Sequence, residues 1–325
     1  MDIRYGRKKN GIRRELKVKL DEWMDSIDDS ELVVLIKKDV IVTGGSIASM
    51  LLGEQVNDYD VYFRTQETTK RVAEYYVNKF NEIVKLKLGD VDSKSGTPCV
   101  QIRDLVNIKG QTESCVVIYM KSSGVAGENQ ETYEYFEGMN ADATQVFADS
   151  LSVNDAEQAI ETRAEESAEG KYRPLFLSQN AITLSNKMQL VTRFYGEPDK
   201  IHDNYDFQHA MSYYDYHNDN LETPAAALEC LLSRTLVYRG SLYPVASIFR
   251  VKKFIERGWR ITAGQQLKIM WQISEINLKD FEVMRSQLVG VDQAYMWQLI
   301  QALKDVEPEK INSTYIAAII DKIFE

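Results

Sequence analysis

Two groups of residues within one short stretch are of types and spacing that could do chemistry together. Gly44-Gly45-Ser46 follows an apolar run, Val40-Ile41-Val42, and Asp58-Tyr59-Asp60 comes soon after. Glycines let backbone N–H groups come close to an anion, and a helix that starts there adds a dipole favouring negative charge. Asp58 and Asp60 are two apart, so on a strand they share a face. Paired carboxylates on one face repel each other and resist burial. A hard divalent cation with a preference for oxygen ligands resolves that conflict. A phosphate cradle beside metal-binding carboxylates is the equipment of phosphoryl or nucleotidyl transfer. The competing reading is a turn in which Asp58 caps an element and Asp60 is a solvated surface acid.

The elements that must position these groups follow from periodicity. Val40–Val42 reads as a strand, 46–53 as a short helix, and Asp58–Phe63 as a second strand. Residues 11–37 read as one or two helices carrying Leu16, Leu20, Trp23 and Met24 on one stripe. Thr68–Asn81 reads as a helix, then Ile83–Leu88, Cys99–Ile102 and Ser114–Met120 as strands. Gly89-Asp90-Val91-Asp92 is a second acidic pair, read as a turn. Residues 124–170 are acidic and Ala-rich, an excursion from the sheet. Strands resume at Leu175–Leu177 and Gln189–Phe194, and Tyr205-Asp206-Phe207 places a carboxylate between aromatics on another strand. From Thr223 the pattern is helical, over 223–237, 243–257, 263–275, 278–288, 291–305 and 312–324. The expected organisation is an N-terminal basic helical segment (1–37), a domain with a mixed sheet (38–217, insertion about 124–170) and an α-helical domain (218–325), an α+β chain.

The Gly-Gly-Ser turn, short helix and hydrophobic-flanked Asp-x-Asp, in that order, resemble the polymerase-β-like nucleotidyltransferase superfamily. A second island, from Leu242 to Ile261, resembles the helix after the catalytic domain in bacterial poly(A) polymerases and CCA-adding enzymes. Pro244, Arg250, Lys253-Phe254 and Gly258-Trp259 match that pattern; Tyr243 and Ala246 depart from its Asp and first Arg. Residues 176–217 are also similar to proteins labelled nucleotidyltransferases in large tailed-phage genomes.

The resemblance implies a set of roles. Gly44, Gly45 and Ser46 would hold the phosphates of an incoming NTP. Asp58 and Asp60 would bind two Mg²⁺ ions (Mn²⁺ as a substitute), about 4 Å apart in such sites. A third carboxylate lies on a later strand beside the Asp-x-Asp strand, between hydrophobic residues; Asp206 is the candidate, with Asp203 and Asp215 in competition. Arg250 and Lys253, three apart on one helix face, would reach the triphosphate. The expected activity moves a nucleoside monophosphate from an NTP to a hydroxyl, foremost an RNA 3′ end, tRNA-like or otherwise. A protein or small-molecule acceptor, and a non-catalytic phage or virion-associated member of the fold, remain as alternatives.

Composition sets the remaining bounds. The chain has 325 residues and a net charge of −10. Its charge is segregated: residues 128–169 hold a dozen carboxylates and one cation, Arg163, while 234–268 hold eight Lys and Arg against Glu256. That basic stretch, with Tyr238, Tyr243, Phe249 and Trp259, suits phosphate contact and base stacking. The first twenty residues are also basic, and read as solvated helix faces. Cys99, Cys115 and Cys230 have no metal-ligand spacing and suggest a reducing compartment. His202, His209 and His217 lack the i, i+4 spacing of a helical zinc pair and read as structural. No apolar run reaches membrane-span length, so the expectation is a cytoplasmic protein, in a host cytoplasm if phage-encoded.

Overall fold

The computed structural model describes residues 6–88, 98–106, 110–119 and 171–278, with positions 280, 283, 287, 314 and 318. The acidic stretch 124–170, the pair Asp90 and Asp92 and most of the last three expected helices lie outside the described residues. The fold is α+β. The chain divides into two compact units, one of residues 1–203 and 209–231, the other of 204–208 and 232–325.

The first unit opens with helices α1 (Lys9–Asp25) and α2 (Ser30–Asp39). Asp29 caps α2 by accepting from the Leu32 N–H, and Lys37 and Lys38 complement its dipole at the far end. Strand β1 (Val40–Thr43), helix α3 (Gly45–Leu52), strand β2 (Tyr59–Phe63) and helix α4 (Gln66–Leu88) follow. The run Ile83–Leu88, expected as a strand, continues α4: nothing between Asn81 and Leu88 breaks a helix, and Leu and Lys both favour one. Strands β3 (Cys99–Val106) and β4 (Thr112–Tyr119) form a separate antiparallel pair. Strands β5 (Pro174–Leu177), β6 (Ala181–Leu184) and β7 (Met188–Val191), helix α5 (Pro198–His202), and strands β8 (Tyr213–Asp215) and β9 (Asn220–Glu222) complete the sheet.

The main sheet has the order β5-β6-β7-β2-β1-β8-β9. It is mixed: β2 runs parallel to β7, and the other neighbours are antiparallel. Alternation assigns its faces. Val40, Val42, Val61, Phe63, Met188, Leu190 and Tyr214 point to one side and join Ile12, Leu16, Leu20 and Trp23 of α1 in a single core. Within it, Trp23 Nε1 donates to Tyr76 Oη at 2.7 Å, so the buried indole is satisfied. The N-terminal basic segment thus keeps its charges outward and supplies the sheet with a helical layer. The opposite face carries the polar residues discussed next.

The second unit contains β10 (Thr235–Leu236) and β11 (Arg260–Ile261), paired in parallel, with helices α7 (Pro244–Glu256) and α8 (Ala263–Ser274); α6 (Ala225–Ser233) precedes them. Tyr238 organises it, donating through its hydroxyl to Gln272 Oε1 at 2.6 Å and receiving a single backbone bridge from Phe207. Tyr238, Phe249 and Trp259 are buried there. This corrects the expectation that they offer stacking surfaces for bases: they are the apolar core of the unit, and Tyr243 alone of the four is half-buried. Among the described residues no helix is long and apolar enough to cross a membrane.

Candidate nucleotide and cation site

The site grows from the register of β1, β2 and β7. Thr43 pairs with Asp60 across the β1–β2 ladder, and Asp60 pairs with Gln189 across β2–β7. Gln189 in turn faces Thr183 on β6, and Thr43 faces Tyr213 on β8. Directly paired residues share a face, so these side chains make one polar row across the sheet, on the side away from the core. Asp58 lies just before β2, two residues from Asp60, and is exposed; Asp60 is half-buried.

Gln189 joins the two acids. With its amide turned so that both neighbours are satisfied, its nitrogen donates to Asp58 Oδ2 at 3.3 Å and to Asp60 Oδ1 at 3.2 Å. A primary amide has two N–H donors, one for each carboxylate.

Thr43 ends β1, and the chain turns immediately at Gly44. Its φ of 101° is a conformation that favours glycine. The Gly44 N–H is used by the Ala210 carbonyl at 3.2 Å, so the cradle expected of three residues begins at Gly45. α3 has no side-chain cap at its N-terminus, which leaves the first-turn N–H groups to a ligand or to solvent. Gly45 is exposed, and a Cβ built there would meet no atom within 4 Å. Ser46, in the same turn, is 2% exposed, and its buried Oγ has no hydrogen-bond partner. A buried hydroxyl without a partner costs about 1–3 kcal/mol, and an anion on the helix start would relieve that cost. The turn stands beside Asp60 because Thr43 does.

Beneath the row, Thr43 Oγ1 donates to the Ser212 carbonyl at 2.9 Å and meets His202 Nε2 at 2.8 Å. Its one proton is spent on Ser212, so His202 is the donor and carries its proton on Nε2. His202 is buried at the end of α5.

Asp206 sits in a bend and not on a strand. It belongs to the second unit, where its Oδ2 accepts from Arg250 Nη1 at 2.6 Å and Ser247 Oγ at 3.0 Å. Arg250 is thereby engaged by an acid, and Lys253 is exposed on α7. Asp203 follows α5 and is exposed. Asp215 is on β8 and bound to Arg64, whose Nη2 lies 2.9 Å from its Oδ2. Sequence reading did not single out Gln189 as a site residue, nor Thr43. The signal for Gln189 was available in Met188-Gln189-Leu190, a polar residue between apolar ones in an expected strand.

With the Gln189 amide in the opposite orientation, its oxygen towards the pair, Asp58, Asp60 and Gln189 would offer oxygen ligands of the kind that Mg²⁺ or Mn²⁺ prefers, with water completing the shell. Among the described residues no group of three or more His, Cys, Asp or Glu could hold a metal ion.

No curated protein matches the chain. A Thermotoga maritima CCA-adding enzyme solved in complex with tRNA-CCA is similar at 11% identity and a TM-score of 0.34, over 93% of this chain and 53% of that one. The chain thus spans about half the length of that enzyme. The family model described as Gad2, Gabija anti-defense 2 family protein, matches residues 14–234. That range includes most of the first unit and every residue of the polar row, and the chain belongs to the Gad2 family.

Proposed function

We infer that the first unit binds a nucleoside triphosphate with its Mg²⁺ and transfers the nucleoside monophosphate to a hydroxyl acceptor. One juxtaposition carries this reading: an uncapped helix start holding the partnerless Ser46 Oγ, set by the Thr43–Asp60 register beside two carboxylates on one face. The N–H groups of Gly45 and Ser46 and the Ser46 hydroxyl bind phosphate oxygens. Gly44 turns the chain so that those groups face the ligand. Asp58 and Asp60 bind the cation that accompanies the triphosphate. When bound, that cation neutralises charge on the phosphates and the leaving group. The acceptor oxygen attacks the α-phosphorus, the bond from it to the α–β bridging oxygen breaks, pyrophosphate leaves, and the acceptor's proton passes to solvent. The protein contributes chiefly position and electrostatics.

RNA is the first acceptor to test, because the second unit exposes Arg239, Lys252, Lys253, Arg257, Arg260 and Lys268. The family's description adds a second arm: a protein component of the Gabija defence as acceptor. The protein is incubated with each α-labelled NTP, Mg²⁺ and either total RNA or Gabija proteins. Label enters RNA in the wild type, and Asp60→Asn abolishes transfer while keeping its melting temperature. Label in the Gabija proteins reassigns the acceptor. Absence of label in both arms, together with no NTP binding by calorimetry, overturns the reading.

A further inference from the structure

The polar row continues past Thr43 to the far side of β1. Thr43 pairs with Tyr213 on β8, and Tyr213 pairs with Glu222 on β9, so both side chains stand on the face that carries Asp60. Neighbouring strands lie about 4.8 Å apart. Tyr213 is therefore one strand from Thr43, which leads into the phosphate turn, and Glu222 is one strand further. The Tyr213 ring is half-buried, and its hydroxyl makes no hydrogen bond among the described residues. His202 backs the ring, with 5.9 Å between centroids and planes at 55°. His202 is itself 1% exposed and bonded to Thr43, so that backing is fixed. Burial first, then the carboxylates of Glu222, Asp199 and Asp215, push the Tyr213 hydroxyl above the ordinary 10, so the ring is neutral at neutral pH. Glu222 is half-buried too, and Asn220 Nδ2 orients its carboxylate by donating to Oε1 at 2.7 Å. A carboxylate accepts about four hydrogen bonds, so further acceptor capacity remains.

We propose that Tyr213 is the platform on which the base of the nucleotide stacks, and that Glu222 beside it selects guanine. The proposal rests on the nucleotide reading above, and within it only on phosphates held at Gly45 and Ser46. From that turn the nucleoside extends along the row to one side of β1 or the other. The β8 side offers a ring, and every base has a π-face that stacks on one. The charge of the triphosphate favours the same orientation. The Glu222 carboxylate repels phosphate from its end of the row, which leaves that end to the uncharged base. Guanine then fits Glu222 through its edge. Its ring N–H and its amino group lie side by side, two donors for a side chain that only accepts. Adenine and cytosine set a ring-nitrogen acceptor beside their amino group, and uracil sets carbonyl oxygens beside its N–H. Each of those three brings an acceptor against the carboxylate.

The test is calorimetry with Mg²⁺ and non-hydrolysable analogues of GTP, ATP, CTP and UTP, beside inorganic tripolyphosphate as a probe that has no base. Wild type binds the GTP analogue at least about fivefold more tightly than the other three, the lower end of what a two-bond base contact discriminates. Tyr213→Ala weakens all four analogues by about 5- to 150-fold, the worth of one base stacked on an aromatic ring. Tyr213→Phe keeps the wild-type affinities, and tripolyphosphate binding in Tyr213→Ala shows that the variant is folded. Glu222→Gln, of the same shape, loses the preference for GTP. Analogue affinities that do not change in Tyr213→Ala overturn the platform. Equal binding of the four bases by wild type, or a GTP preference kept in Glu222→Gln, overturns the selection by Glu222. In each of these cases tripolyphosphate still binds and the nucleotide reading stands. If wild type binds neither tripolyphosphate nor any analogue, the nucleotide reading falls and the base site falls with it.

Discussion

Asp60 and Asp215 lie on the two strands that flank β1, β2 and β8, and different residues lie beside them. Asp215 is 6% exposed and faces a fixed cation, Arg64, which also reaches Glu197. Burial alone would push its carboxyl up, but the Asn218 side chain, Arg64 and the Asn218 backbone N–H together hold it below the ordinary 3.8. An acid neutralised in this way is structural. Asp58 and Asp60 lie within reach of the Gln189 amide nitrogen, at 3.3 and 3.2 Å, once that amide is turned. Sequence alone placed all three acids among the candidates, because a carboxylate's partner comes from a distant strand. A depressed carboxyl pKa contributes stability that is complete above the ordinary value and is lost as pH falls through the folded one. Asp215→Asn is therefore about 2–3 kcal/mol less stable than wild type near neutrality. In urea melts across pH, the gap persists down to about the ordinary aspartate value and closes below it. A gap that stays constant into strong acid removes the linkage.

At the scale of elements, the part of the site made locally was legible and the part made by pairing was not. The turn at Gly44, helix α3 and the Asp58–Asp60 spacing all lie within one stretch, so periodicity and turn chemistry located them. Gln189 reaches the site only through a parallel ladder joining β2 to β7, with over a hundred residues between, and a glutamine has no acidic signature to search for. Asp206 looked like a strand acid because it stands between aromatics, but Phe207 makes one isolated bridge to Tyr238 and the segment bends. The short strands β6, β8 and β9 are held by neighbours and not by their own patterns. The α3 turn also separates folding from binding. Gly44→Ala places a Cβ on a φ of 101°, costing about 1–3 kcal/mol. Gly45→Ala meets no atom within 4 Å, and alanine is the better helix former by up to about 1 kcal/mol. Gly45→Ala thus keeps or raises the melting temperature while weakening NTP binding measured by calorimetry, since its methyl occupies the approach to the N–H groups. Unchanged affinity in Gly45→Ala would show that no phosphate lies against that turn.

Across the whole molecule, charge is sorted against the direction that the net value suggests. The chain is acidic at −10, yet residues 234–268 carry eight cations, and those on α7, β11 and α8 are largely exposed. The aromatic residues interleaved with them in sequence turned out to be core, because a small unit with few strands must bury Tyr238, Phe249 and Trp259 to have a core at all. RNA held by this unit is therefore held through phosphates, with little stacking from those three rings. Phosphate contacts carry salt dependence without sequence preference. Arg257 and Arg260 are both exposed, and Arg260 gives up one side-chain bond, to Thr235, on replacement. The double change Arg257→Glu with Arg260→Glu should leave the first unit's NTP affinity unaltered and weaken single-stranded RNA binding. Each lost contact lowers the slope of log affinity against log salt by about 0.7. Binding that is sensitive to base sequence, or a slope that does not change in the double variant, would move RNA away from this surface, and protection of the unit by a protein acceptor would then be the outcome to measure.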